Sequence, residues 1–250
     1  MNRTVLRVEW YRWVRTRRLL ALLAAFVLFG FLSLLGAKYL PDLIGQSADI
    51  KLLRVPDWRD GLQQYVKNTG LLVAAVAMIL AAQACAVRST EPIGIYYLSR
   101  EVSPVRLYLP RILVAASVIA ASALVGATVA LYECWALFGS YPLGTGVGSL
   151  AVQGIAVVLF AVFAAAMAAR IGTAGLAAAI TAGVYVCCLL LSTVPAIQPW
   201  LPTTALQPTI AASGFSFADA AKSLLPLALA TALALTVALT TPIRAIRATA

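Results

Sequence analysis

Residues 112–138 read ILVAASVIAASALVGATVALYECWALF, and this apolar run, with Glu133 as its single charged residue, decides the fold class. A helix that crosses a bilayer needs about 20 mostly apolar residues. The 250-residue chain is 62% hydrophobic and 11% charged, with a mean hydropathy of +0.92. These values are typical of a multi-pass membrane protein and exclude a soluble fold.

Five other apolar runs accompany the first, so the chain is expected to cross the membrane six times. We therefore predict an all-α integral membrane protein with one transmembrane domain, residues 1–250, and no separate soluble domain. No G-x-x-x-x-G-K-[ST] loop occurs, so the energy for any transport would come from a partner or a gradient. The spans are predicted at about residues 19–39, 70–87, 112–138, 150–169, 175–194 and 224–241.

Basic residues are distributed unevenly between the two sides of these spans. The net charge is +10, from 19 basic and 9 acidic residues. With a cytoplasmic N-terminus, 13 basic residues fall on cytoplasmic segments and six on outer segments. The positive-inside rule then places both termini in the cytoplasm. The pattern favours membrane topology over nucleic-acid binding, and the bias towards Ala, Val and Arg predicts a bacterial inner (cytoplasmic) membrane.

The N-terminal residues 5–18 form a predicted amphipathic helix before the first span. Tryptophan at the headgroup level and arginine towards anionic lipid are typical of an interfacial helix. This helix is either a topology anchor or an elbow helix that also touches a cytosolic partner. A secretory signal peptide is the competing interpretation, which the long basic region disfavours. The apolar positions are Leu6, Trp10, Trp13 and Val14, and the arginines at other positions include Arg12 and Arg15.

The cytoplasmic segment 88–111 contains more aromatic and branched residues than a solvated loop usually does. Its Ile95-Tyr96-Tyr97-Leu98 patch follows Glu91 and Pro92, which suit the first turn of a helix. An amphipathic helix held between two spans suits docking into a groove of a soluble partner. The segment is thus a candidate partner-binding site.

At this point the chain resembles the permease subunits of type-2 ABC exporters. That family has a basic amphipathic N-terminus, six spans, and a cytoplasmic segment between the second and third spans with characteristic Glu, Gly-Thr, Leu, Pro and Ser-Arg positions. The chain departs from the pattern at Ile95, where Thr is usual, at Glu101, where Pro is usual, and at Pro104, where Arg is usual. The matching positions are Glu91, Leu98, Ser103 and Arg111, with Gly94 near the family's Gly.

The resemblance implies the type V exporter fold and a division of labour between chains. The permease would form the translocation pathway and bind no cofactor, and ATP and Mg would bind two copies of a separate cytosolic ATPase. A second permease copy or a sister permease would complete the pathway, with membrane lipid around it. The ATPase-coupling residues would be Glu91, Gly94, Ile95, Tyr96, Tyr97 and Leu98.

Two further features are candidate parts of a pathway or an outer gate. Glu133 is a carboxylate in an apolar run, so it is a candidate for a cation or substrate contact, but the neighbouring Tyr132 and Trp135 favour a solvated interfacial position. Pro202 lies in the uncharged loop 195–217, which is either a pair of re-entrant helices or a plain surface loop. Trp58 and its charged neighbours are predicted to form a short surface helix.

Other function classes are less favoured by the composition. The chain has no His and four Cys without metal-ligand spacing, so we predict no metal site and no catalytic residues. A membrane-embedded lipid-modifying enzyme would need clustered acidic or His residues at a membrane face. A gradient-driven transporter or channel would place ionisable residues at the midplane. An apolar pathway favours a hydrophobic or amphipathic substrate, such as a drug, peptide or lipid.

Overall fold

The computed structural model describes residues 3–47, 55–87, 95–96, 102–207 and 216–241, with the side chains of residues 42–47 outside that description. Every regular element in these ranges is helical, and two short 3-10 helices precede the last long helix. The helices are α1 (Arg3–Arg15), α2 (Arg18–Ser47), α3 (Trp58–Asn68), α4 (Ala74–Cys85), α5 (Pro104–Phe138), α6 (Leu143–Ile171), α7 (Ala174–Leu191) and α8 (Phe217–Thr240). The 3-10 helices are Gln198–Trp200 and Pro202–Leu206.

Six helices in the described ranges are long and apolar enough to cross a membrane, as predicted. The second span differs from its predicted bounds, because α3, a π-helical turn at Thr69–Val73 and α4 form one continuous helix, Trp58–Cys85. The short helix predicted at Trp58 is present as α3, but it is the first part of the second span and has a buried face formed by Leu62, Tyr65 and Val66. The amphipathic α3 simply continues into the apolar α4.

The ends of the helices follow from local side-chain chemistry. Asp57 caps α3 by accepting from the backbone N–H groups of Arg59 and Asp60, and the Asp60 carboxylate accepts from the Asp57 N–H in return. Pro104 occupies the first turn of α5, where its missing N–H has no helical acceptor to lose. Gly172 ends α6 with φ of 79°, a left-handed conformation that costs glycine little.

Helix α6 is the centre of the bundle. It contacts α4, α5, α7 and α8. Within an 18-residue apolar stretch of α6, 61% is buried, compared with 17% for the corresponding stretch of α7. Its alanines, such as Ala161, Ala164 and Ala165, are fully buried, and small side chains allow helix backbones to approach closely where lipid offers no hydrophobic drive. The peripheral α7 leaves most of its apolar surface uncovered.

The bundle has two chemically different ends. We call the first the arginine end: here α1 and the start of α5 meet near Cys85, the last residue of α4. The end of α6 also lies here, because an added Cβ at Gly172 would be 3.4 Å from the Val87 carbonyl oxygen. At the second, the aromatic end, Trp58 stacks on Tyr141 with ring centroids 5.7 Å apart. Because consecutive spans run antiparallel and are joined by connections at their ends, successive connections alternate between the arginine end and the aromatic end.

Candidate functional site

The arginine end contains a buried ion pair between two helices that are far apart in sequence. The Arg111 Nε atom of α5 lies 3.2 Å from Oε1 of Glu9 in α1, and Arg12 lies 3.6 Å from the other Glu9 oxygen. Arg111 is 4% exposed. Since a buried charge without a counter-charge is costly, this contact holds α1 against the start of α5.

The sequence offers one signal for Glu9 that our sequence analysis missed. Glu9 is the only acidic residue among the arginines of α1, and it precedes Arg12 by three positions, which places both on one helix face. The pairing with Arg111, 102 positions later, was not readable from one sequence. Only the packing of α1 on α5 brings the two groups together.

The face of α1 that meets the bundle differs from the predicted apolar face. Trp13 is buried and Leu6 packs against the core, as expected for inward positions. Trp10 and Val14 are exposed to the surroundings of the bundle, so they do not pack on it. The Glu9–Arg111 pair turns the Glu9 side inward, which rotates Trp10 outward. Arg15 is exposed, whereas Arg12 is half-buried beside Glu9.

Of the six predicted ATPase-coupling residues, the structure describes Ile95 and Tyr96, whereas Glu91, Gly94, Tyr97 and Leu98 lie outside the described residues. Ile95 and Tyr96 are helical, and their side chains are 55% and 49% exposed. Large apolar side chains at such exposure are suitable contact residues for a partner. The segment connects the end of α4 with the start of α5.

Glu133 and Pro202, the candidate pathway or gate residues, lie on different elements. Glu133 is half-buried, about one turn before α5 ends at Phe138. Pro202 begins the second 3-10 helix, in which Thr203, Ala205 and Leu206 are buried. Within the described ranges no hydrogen bond or ion pair joins the two residues. Glu133 lies on α5, whereas the Pro202–Leu206 helix packs mainly on α6, α7 and α8.

A buried polar cluster surrounds the π-helical turn at Thr69–Val73, and our sequence analysis did not find it. The Gln153 amide of α6 donates to the Val66 carbonyl at 3.1 Å and to the Thr69 hydroxyl. The Tyr185 hydroxyl of α7 donates to the Gly70 carbonyl at 3.1 Å. A π turn disturbs the regular backbone ladder, and these donors satisfy carbonyls that lipid could not.

The 3-10 helix Pro202–Leu206 packs directly on this turn. A Cβ atom added to Gly70 would lie 2.5 Å from the Leu206 carbonyl oxygen, so only glycine permits the observed approach. Gln207 also donates to the Ser192 hydroxyl at 3.0 Å, which links the segment to the end of α7. Residues 201–207 are thus packed against the bundle, whereas most side chains of residues 195–200, including Ile197 and Trp200, are exposed.

No protein-family model matches the sequence, and no curated protein matches it. The functional argument therefore depends on the residues and contacts described above.

Proposed function

We propose that the chain is the transmembrane subunit of an ATP-driven ABC exporter in a bacterial cytoplasmic membrane. It forms the pathway for a hydrophobic or amphipathic substrate, and a separate cytosolic ATPase binds ATP and Mg and supplies the energy. The observation that carries the proposal is the Glu9–Arg111 ion pair, which ties the basic α1 to the helix that follows the segment with exposed Ile95 and Tyr96.

The length of α5 supports a mechanical role. It has 35 residues, which correspond to about 52 Å at 1.5 Å per residue. A bilayer with its headgroups is only about 40–45 Å thick. The helix therefore extends beyond the membrane, and its first turns provide a lever that a soluble partner can move.

The contacts of α5 define what such a movement would transmit. Its start is held to α1 through Arg111, and its other end is packed against α2, where Lys38 donates to the Leu137 carbonyl. A push on the 88–103 segment would tilt α1 and α5 together, because a buried ion pair resists separation. Rocking of this kind is how transporters change between inward-open and outward-open states.

The exposed helices suit a second permease subunit. In α2, α7 and α8, only 28%, 17% and 22% of an 18-residue apolar stretch is buried, so these helices present large apolar surfaces to lipid or to another chain. A pathway for a bulky substrate needs more wall than one bundle of this size provides. The assembly we propose is two permease subunits, identical or sister chains, with two ATPase subunits.

The coupling role can be tested by one tyrosine substitution and a matched control. Tyr96→Ala removes an exposed ring from the proposed contact, whereas Tyr39→Ala removes an equally exposed ring, 49% in both cases, from α2. In reconstituted complexes, we expect Tyr96→Ala to reduce substrate-stimulated ATP hydrolysis about 10-fold, a typical loss at an interface anchor. The Tyr39→Ala complex should behave as wild type. Equal activity of all three complexes would remove Tyr96 from the coupling surface.

The partner itself can be tested by capture from the native host. Ile95→Cys carrying a short cross-linker should trap a soluble ATPase in mild detergent, and mass spectrometry identifies the trapped chain. Val55→Cys, at a residue 84% exposed before α3, is the control position and should trap no ATPase. If neither position yields an ATPase, the exporter proposal is wrong, and transport driven by an ion gradient becomes the function to measure.

A further inference from the structure

An apolar groove lies between α5 and α6 on the outer surface of the bundle, with a volume of about 660 Å³. Its floor is formed by small residues, and an added Cβ at Gly154 would lie 3.8 Å from the Ala123 Cβ. Its rims are larger aliphatic residues, with Leu124 69% exposed and Ile155 50% exposed. Thr128 is the one hydroxyl-bearing residue of the lining, and it donates to the Leu124 carbonyl of its own helix.

The groove has a defined depth along the membrane normal. Its lining on α5 runs from Leu131 back to Ala120, and the eleven steps between these residues span about 17 Å at 1.5 Å per step. The hydrocarbon core of a bilayer is about 30 Å thick, so one leaflet contributes about 15 Å. The groove therefore matches the depth of one leaflet.

The two ends of the groove are different. At the aromatic end, Tyr132 and Trp135 are exposed, with ring centroids 6.3 Å apart, and such rings mark the headgroup level. Near the other end, the Thr231 hydroxyl of α8 donates to the Leu159 carbonyl at 3.3 Å, and α8 contacts both α5 and α6. Helix α8 thus borders the deep end. A membrane-spanning helix of another copy that lay in this groove would therefore collide with α8.

We infer that the groove binds one acyl chain of a membrane phospholipid, with the headgroup beside Tyr132 and Trp135. An apolar, one-leaflet channel that starts at an aromatic belt and stops at a helix fits a hydrocarbon chain in length and chemistry. This assignment is independent of the proposed exporter function, because it concerns only the chain and its lipid.

The inference is tested with a phospholipid that carries a photoreactive diazirine in its acyl chain. The full-length protein is reconstituted in phosphatidylethanolamine and phosphatidylglycerol vesicles containing this probe, and labelled residues are mapped by mass spectrometry. We expect labelling within 120–131 and 147–159 to exceed labelling on the exposed face of α7 at least 5-fold. Equal labelling on both surfaces would indicate ordinary boundary lipid and overturn the inference.

Two filled-groove variants make the test specific. Gly154→Leu and Ala151→Leu place side chains into the groove, and each should reduce its labelling at least 5-fold. The matched controls Gly183→Leu and Ala182→Leu alter exposed positions of α7 and should leave groove labelling unchanged. Circular dichroism and gel filtration establish whether each variant is folded. If Gly154→Leu does not fold, the result with Ala151→Leu decides the test. Retained labelling in a folded variant would overturn the inference, as would efficient disulfide cross-linking between copies through Leu124→Cys.

Discussion

The arginine end and the aromatic end of the bundle differ in how their charged side chains are placed and partnered. At the arginine end, charged groups of distant segments are buried together, as Glu9 and Arg111 show. At the aromatic end, the charges do not rely on a buried counter-charge: Asp57 caps its own helix, the Arg59 guanidinium lies 5.2 Å from the ring centroid of its neighbour Trp58, and Lys38 contacts a distant helix through an uncharged group, the Leu137 carbonyl. Buried long-range pairs fix the relative position of helices, whereas local pairs fix only helix ends.

The largest effect expected from this comparison is at Glu9. Glu9→Gln removes the negative charge beside the buried Arg111 guanidinium and should reduce the free energy of unfolding by about 3 kcal/mol, a typical result of breaking a buried pair. Thermal unfolding in detergent measures this change. The control is Asp219→Asn in the exposed Asp219–Lys222 pair, where the Asp219 side chain is 70% exposed and the expected loss is below about 0.5 kcal/mol. Similar losses in both variants would contradict the contrast.

A medium effect is expected where the 3-10 helix meets the second span. Gly70→Ala puts a methyl group 2.5 Å from the Leu206 carbonyl oxygen, so backbone must shift, at a cost of about 2 kcal/mol. Gly183→Ala in α7 has open space around the new methyl group and should stabilise the helix by up to about 1 kcal/mol. Shifts in melting temperature of opposite sign would support the tight packing of the Pro202–Leu206 helix on the second span. A neutral Gly70→Ala would refute it.

The smallest effect is expected at the cap of α3. Asp57→Ala removes the acceptor for the N–H groups of Arg59 and Asp60 and should cost about 1 kcal/mol. Asp57→Asn keeps an oxygen acceptor and should recover most of that loss in the same unfolding measurement. If Asp57→Asn is as unstable as Asp57→Ala, the carboxylate acts through its charge rather than through capping. The effect of Asp57 would then extend beyond the end of its own helix.

Sequence patterns predicted the number of spans because each span is an independent, local requirement. A run such as 112–138 has to be a helix in lipid, since every backbone polar group needs a partner within its own segment. The bounds were less predictable. Amphipathic α3 has a polar composition that is typical of a surface helix, yet its continuation through the π turn makes it part of a span.

The candidate site was predictable only in part. The exposed aromatic and aliphatic residues Ile95 and Tyr96 were found from composition, and the structure shows them exposed and helical. Glu9, Gln153 and Tyr185 were missed because the residues of one helix do not indicate a partner on another helix, and even the spacing of Glu9 from Arg12 does not indicate Arg111. Their partners lie 102, 87 and 115 positions away, respectively, and helix packing alone selects them.

By itself, the sequence determined the helical elements of the described residues, including a basic N-terminal helix and six helices long and apolar enough to cross a membrane, because hydrophobicity and helical hydrogen bonding act over one segment at a time. Only the tertiary structure decided which face of α1 turns inward, which carbonyls the buried amide and hydroxyl satisfy, and where α5 and α6 leave a groove. These features depend on how close two helices approach, and that distance is set by the small side chains of both helices together.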